Sequence, residues 1–372
     1  MKVNFLDLNR QNNKIRKEIE ASFNGTFARS DFILGKEEAL FEEEFAKYFK
    51  RRFAVGVNSG TDALFLALLS LGISKGDEVV VPVFTYIATA LAVTFTGARP
   101  VFADIEEDTC NIDTTKLRKT INSKTKAIIP VHLYGQTADM APIIKIARIN
   151  KLKIVEDAAQ AHGAEYRMFN GVWRMAGSMG DIGAFSFYPT KNLGACGDGG
   201  MLVTDNRKIY RRLLMLRDYG RKSRYEHISI GYNSRLDTLQ AGVLRVKLPH
   251  LRRWNEQRRA CALLYARELG KIKGIILPHE ATFSRHVYHA YAVRVKNRDR
   301  VLKELGKKGV SALIHYPIPL HLQKAYKDLG YKRGDFPVAE RIAREVISLP
   351  MHPYLKESEI KYIASVLKEA IP

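Results

Sequence analysis

The sequence predicts an α/β protein built on a mostly parallel central sheet. Three observations carry that reading. Short apolar runs alternate with helical stretches from residue 53 to about 204, as strands covered on both faces by helices do. Turns rich in glycine, serine and asparagine close several of the runs. The chain has 372 residues and 46% hydrophobic content, enough for two or three domains with sizeable cores.

Residues 10–23 read as a helix stopped at Gly25, and Phe32 to Gly35 as a short extended entry. Leu40, Phe41, Phe45 and Tyr48 then recur at helical spacing with acids opposite, which predicts an amphipathic helix from Glu37 to Tyr48. Phe53 to Val57 is a strand, Asn58 to Asp62 a turn, and Ala63 to Leu71 a helix ended by Gly72. Further strands follow at Asp77–Pro82, Pro100–Asp104 and Ala127–Val131, and a helix at 139–150. Leu152 to Asp157 is an apolar strand that closes on two carboxylates, Glu156 and Asp157.

Ile182 to Phe187 is the next strand, stopped by Pro189, which has no N–H for a ladder. Lys191 lies in the turn, before Gly194, Gly197, Gly199 and Gly200 and a second apolar run from Met201 to Thr204. Helices are expected at Ile209–Leu216 and Thr238–Lys247. Pro249 marks the boundary between a large domain, 1–248, and a smaller α+β domain, 249–372. The smaller domain holds a basic helix from Leu251 to Leu269, a run Tyr291–Val295, helix 299–308, a run Ala312–Ile314, and helices 336–347 and 357–370. Neither internal repeats nor low-complexity segments occur.

No apolar run is long enough to span a bilayer, and residues 1–20 lack the apolar core of a signal peptide, so a cytoplasmic location and no membrane partner are expected. Cys110, Cys196 and Cys261 are odd in number and far apart, and predict neither a disulfide framework nor a metal site. The net charge of +21 admits a basic nucleic-acid-binding or regulatory protein. It equally suits a basic background that steers an anionic small substrate. Lys and Arg are dispersed and form no known nucleic-acid motif, which favours the second alternative and no nucleic-acid partner.

Lys191 on its own is an ordinary loop lysine. At the mouth of a buried strand, fenced by glycines, it becomes a candidate Schiff-base nucleophile, because partial desolvation lowers an amine's pKa. Other segments supply its context. Gly60 and Thr61 open a helix, where free N–H groups and the helix dipole hold a phosphate. Tyr86 follows a strand and can stack on a flat ring. Asp157 stands at a strand's carboxyl end, where open sheets gather ligands. Ser186 and Lys191 complete the set. Pyridoxal 5'-phosphate (PLP) needs all of these: donors for its phosphate, a stacking face, a carboxylate for its pyridinium nitrogen and a lysine for its aldehyde.

At these motifs the sequence resembles the DegT-like PLP-dependent nucleotide-sugar aminotransferases, on the aspartate-aminotransferase fold. The matching stretches are Asn58-Ser-Gly-Thr-Asp-Ala-Leu64, Phe84-Thr-Tyr-Ile-Ala-Thr89, Glu156-Asp-Ala-Ala-Gln-Ala-His-Gly163, Phe185 to Gly194, Gly197-Asp-Gly-Gly200 and Asn233-Ser-Arg-Leu-Asp237. The resemblance implies that Lys191 carries the cofactor as a Schiff base and shuttles the proton. It implies that Asp157 pairs with the ring nitrogen, Gln160 bonds the ring oxygen and Tyr86 stacks. Gly60, Thr61 and Ser186 would hold the phosphate, and Asn233 would reach the phosphate of a neighbouring subunit, so a homodimer with shared sites is implied. His315, Tyr316 and Tyr188 would face the substrate.

The implied reaction takes an amino group from L-glutamate, passes through pyridoxamine 5'-phosphate, and aminates a keto-sugar of a nucleotide-sugar. Phe185 to Gly200 and Asn233 to Leu248 look closest to members acting at C3 of dTDP-linked 3-keto-6-deoxyhexoses. Members acting at C4, or on UDP-linked 3-keto-2-acetamido sugars, are the alternative. A dehydratase branch has histidine in place of the lysine, and Lys191 argues against it. Residues 165–180 depart from the family: Trp173 and three methionines stand where a short polar hairpin is expected.

Overall fold

The computed structural model describes residues 1–371. Nine strands build its larger part: β1 (Phe53–Val57), β2 (Glu78–Pro82), β3 (Arg99–Ala103), β4 (Thr125–Ile128), β5 (Lys153–Asp157), β6 (Glu165–Arg167), β7 (Trp173–Met175), β8 (Ile182–Ser186) and β9 (Gly200–Thr204). Seven form one sheet in the order β1-β9-β8-β5-β4-β2-β3. From β8 to β3 neighbours run parallel, while β9 runs antiparallel to both β8 and β1. Buried strands flanked by helices thus give an α/β sheet of the expected, mostly parallel kind.

Helices α1 (Leu8–Asn12), α2 (Arg16–Arg29) and α3 (Lys36–Tyr48) precede β1, and α4 (Gly60–Ser70) and α5 (Ala88–Phe95) follow β1 and β2. Gly25 does not end a helix. It sits inside α2, where an added Cβ would meet only the tip of Arg29 at 3.4 Å, so the glycine weakens the helix without breaking it. Helix α4 starts earlier than expected, at Gly60, because the Ser59 hydroxyl caps it by accepting from the Asp62 N–H at 3.0 Å.

Strand pleating decides what faces the site. Phe185 and Phe187 point to one side of β8, into a cluster with Phe41, Phe45 and Phe49 whose ring centroids lie 4.4–5.5 Å apart. Ala184 and Ser186 point to the other side, towards α4. Several fully buried phenylalanines, each contributing about 2 kcal/mol or more, fix the strand from which the lysine turn departs.

The C-terminal part has its own core, running from Cys261 to Ala370 and including Val3. Strand β10 (Ile275–Ile276) pairs with β12 (Tyr291–Val295), which pairs with β13 (Val346–Leu349), while β11 (Ser284–Arg285) joins the β6–β7 hairpin. Here a helix to residue 347 was expected. The helix stops at Glu345, and Val346 and Ile347 turn into a wholly buried strand against β12. β-branched residues beside an unpaired strand edge decide that outcome over local helical periodicity. The Ala312–Ile314 run forms only a single bridge, Leu313 to Ser348. The departure at 165–180 does fold as a hairpin, with Phe169 92% and Trp173 40% exposed.

Candidate active site

The site forms at the carboxyl ends of β5 and β8. Their register sets Asp157 beside Ala184, two residues before Ser186. Glu156 and Asp157 are neighbours in sequence but face opposite sides of β5, as strand alternation requires. They do different jobs. Glu156 is wholly buried and accepts from His132 Nε2 at 2.9 Å and from the Gly177 and Met179 N–H groups at 2.8 and 2.6 Å. Although burial alone would raise it, that set of donors holds its pKa below the usual carboxylate range. It locks the loop after the hairpin. Asp157 accepts from the Thr89 hydroxyl at 2.8 Å and the Ala159 N–H at 3.2 Å. Burial outweighs those donors and raises its pKa, which leaves a carboxylate short of positive charge.

Lys191 lies within electrostatic reach of Asp157, and each favours the other's charged form. Burial wins at the amine and pushes its pKa down to about 8. The folded pKa therefore lies below the ordinary 10.5, so the charged amine destabilises the fold below about pH 8 and the penalty fades as pH rises to 10.5. Two outcomes follow. Covalent uptake of PLP by cofactor-free protein, followed by stopped-flow absorbance, is expected to accelerate with pH and level off above about 8. Lys191→Met is expected to stabilise the cofactor-free protein below pH 8, by on the order of 3 kcal/mol at most, and to lose that advantage above pH 10.5 in thermal melts.

The turn at His132 to Gly135 supplies the next layer. Tyr134 adopts φ 59°, a conformation uncommon for a tyrosine. Its N–H donates to Gln160 Oε1 at 2.7 Å and its hydroxyl donates to the His315 carbonyl. Gln160 Nε2 in turn donates to the Tyr316 hydroxyl at 2.9 Å, so Gln160 and Tyr316 are joined. Tyr86 is 59% exposed with its ring 5.9 Å from that of Tyr316. His315 bonds Ser348 Oγ at 2.9 Å through Nδ1, and burial pushes its pKa down to about 4.

At the start of α4, the N–H groups of Gly60 and Thr61 precede the first helical bond, which Ala63 makes to the Ser59 carbonyl, and so are open to an anion. Ser186 packs directly on them: a Cβ on Gly60 would lie 2.5 Å from Ser186 Cβ. A Cβ on Gly200 would lie 2.3 Å from the Ser59 carbonyl oxygen, so glycine lets β9 pass this corner. These residues fit PLP: an open helix start for phosphate with Ser186 packed against it, an amine of lowered pKa and an under-compensated carboxylate. Gly60→Val is expected to weaken PLP binding at least about tenfold, measured by cofactor titration, with helix content retained.

The cavity beside the lysine turn has a volume of roughly 280 Å³. Gln160, Tyr188 and His315 line it, as do Thr190, His289, Phe5 and Leu6, which sequence reasoning left without a role. Asn233 is placed elsewhere. It is exposed and lines a separate polar cleft with Asn58, Ser59 and Asp198 of its own chain. His289 is half-buried, and its pKa is lowered by desolvation and by the nearby Lys191. Its Nδ1 lies 3.2 Å from Asn192 Oδ1. Among the described residues no cluster suited to a metal ion occurs.

Comparison with known proteins places this geometry. The profile of the DegT/DnrJ/EryC1/StrS aminotransferase family matches residues 13–368. The chain is 43% identical over 371 residues to a Geobacillus stearothermophilus protein named pleiotropic regulatory protein, covering 99% of this chain and 98% of that one. It is 45% identical over 368 residues to dTDP-3-amino-3,4,6-trideoxy-alpha-D-glucose transaminase of Streptomyces venezuelae, covering 99% and 96%. Its structure is similar to that of S. venezuelae DesV in complex with a ketimine intermediate, with a TM-score of 0.95, 45% identity and coverage of 99% and 98%.

Proposed function

The chain belongs to the DegT/DnrJ/EryC1/StrS aminotransferase family, and on that premise we propose that it moves an amino group from L-glutamate to C3 of a dTDP-linked 3-keto-6-deoxyhexose. It is a PLP-dependent aminotransferase whose cofactor cycles through pyridoxamine 5'-phosphate. The observation that carries the reading is the placement of Lys191: an amine in the turn that leaves β8, within electrostatic reach of the Asp157 carboxylate at the sheet's carboxyl edge.

Bound PLP supplies an electron sink for the pair left when a C–H bond beside the amino group breaks. Lys191 would anchor the cofactor, and its amine, with a pKa lowered to about 8, would take the proton from one carbon and return it to another. Asp157 keeps a proton on the ring nitrogen, and Thr89 keeps Asp157 aimed. Gln160 holds the ring oxygen, and Tyr86 covers one ring face. Gly60, Thr61 and Ser186 hold the phosphate. His315, Tyr316 and Tyr188 border the sugar. Burial keeps His315 neutral above about pH 4, so it orients hydroxyls without placing a charge against them.

The active unit is a homodimer in which Asn233 of each copy serves the phosphate of the other. Its exposure in the single chain supports that assignment. A cytoplasmic setting suits a biosynthetic enzyme of this kind, and no helix among the described residues is long and apolar enough to cross a membrane.

The test is a spectral screen of the pyridoxamine form against a panel of nucleotide keto-sugars. The dTDP-linked 3-keto-6-deoxyhexose is expected to restore the PLP spectrum fastest. Faster reaction with a C4-keto sugar or a UDP-linked 3-keto-2-acetamido sugar would replace that acceptor. Duplex binding that falls with salt and survives Lys191→Ala would support a regulatory role instead.

A further inference from the structure

The first residues of the chain lie against the C-terminal core. Val3 is 1% exposed, its N–H donates to the Gly309 carbonyl at 2.9 Å, and its carbonyl accepts from Ser311 at 2.9 Å. The Phe5 carbonyl accepts from the Met351 N–H at 3.2 Å, and the Phe5 ring lies 5.8 Å from that of His315. This segment is therefore held in place, and it delivers Phe5 and Leu6 to the cavity beside the lysine turn, where Leu313 joins them. No Lys, Arg, Asp or Glu lines that cavity. Its imidazoles, His289 and His315, are both pushed towards the neutral form, by desolvation and by the nearby Lys191.

We propose that Phe5, Leu6 and Leu313 form an apolar, charge-free wall that selects among nucleotide-linked keto-sugars, admitting rings whose edge is deoxygenated and rejecting rings that carry an ionised group there. The inference rests on the nucleotide-sugar reading above and deepens it. A carboxylate against this wall loses water and gains no counter-ion from the residues that line it, a large cost. A hydroxymethyl group in place of a methyl group costs less, because an apolar pocket discriminates against an added hydroxyl by about 10²-fold at most. The wall therefore separates 6-deoxy sugars from uronates sharply and from 6-hydroxy sugars mildly.

The test compares kcat/KM for a 6-deoxy keto-sugar nucleotide and its uronate counterpart, using one preparation of the pyridoxamine form. Calorimetric binding of the matching amino-sugar nucleotides gives a readout independent of turnover. The wild type is expected to favour the 6-deoxy compound by at least about 10²-fold in both measurements. Leu6→Arg is expected to narrow the ratio at least tenfold, chiefly by improving the uronate. Leu313→Arg, at a position 46% exposed, is expected to act in the same direction. A wild type that takes the uronate equally well, or arginine variants that leave both ratios unmoved, would overturn the proposal. Rejection of every nucleotide keto-sugar by a protein that still exchanges its amino group with L-glutamate would overturn the acceptor reading itself, and the wall with it.

Discussion

Lys191→Ala is expected to lower turnover by at least about 10⁴-fold and to remove the visible absorbance of the covalent lysine–cofactor bond. No other lysine is placed to replace it. Lys247, which is buried, donates to the Gly194 carbonyl at 2.7 Å and is thereby committed to the glycine turn. Non-covalent PLP binding is expected to persist, because the phosphate and ring contacts belong to other residues. Equilibrium dialysis with PLP separates that loss of bonding from loss of the fold. A variant that keeps more than a small fraction of wild-type turnover would show that the proton moves through some other group.

Asp157→Asn is expected to reduce kcat on the order of 10²- to 10³-fold with a much smaller change in KM for either substrate. The amide keeps the size of the carboxylate and can still accept from Thr89, so the fold is retained. What is lost is the negative charge that keeps a proton on the ring nitrogen. Because Asp157 also stabilises the charged form of Lys191, the variant is expected to shift the pH dependence of cofactor uptake to lower pH. A variant with unchanged kcat would remove Asp157 from its role, and an unmoved pH profile would remove its coupling to the lysine.

Much of this was legible before any coordinates. The strands β1, β2, β5 and β8 each carry a continuous apolar run, because helices cover both faces, and such runs stand out against polar turns. The order of Gly60, Tyr86, Asp157, Ser186 and Lys191 was legible because each lies at a strand end, where open sheets collect their ligands. What escaped depends on contacts between distant parts of the chain. Phe5 and Leu6 carry no local signal; they matter because main-chain bonds to Gly309 and Met351 draw residues from the other end of the sequence beside them. Val346 and Ile347 continue an amphipathic helical pattern, and only the free edge of β12 makes them a strand. The division of labour between Glu156 and Asp157 needs the direction of each side chain, and adjacency in sequence does not reveal it. The positive φ of Tyr134 likewise has no glycine or asparagine to announce it, and is held by bonds to Gln160 and His315.

The most direct test of the account is the site of covalent cofactor attachment. Protein reconstituted with PLP is reduced with borohydride, digested and mapped by mass spectrometry. The account predicts a single pyridoxyl group on the peptide that contains Lys191, absent from protein first treated with L-glutamate. Attachment at another lysine, or no attachment at any, would contradict it.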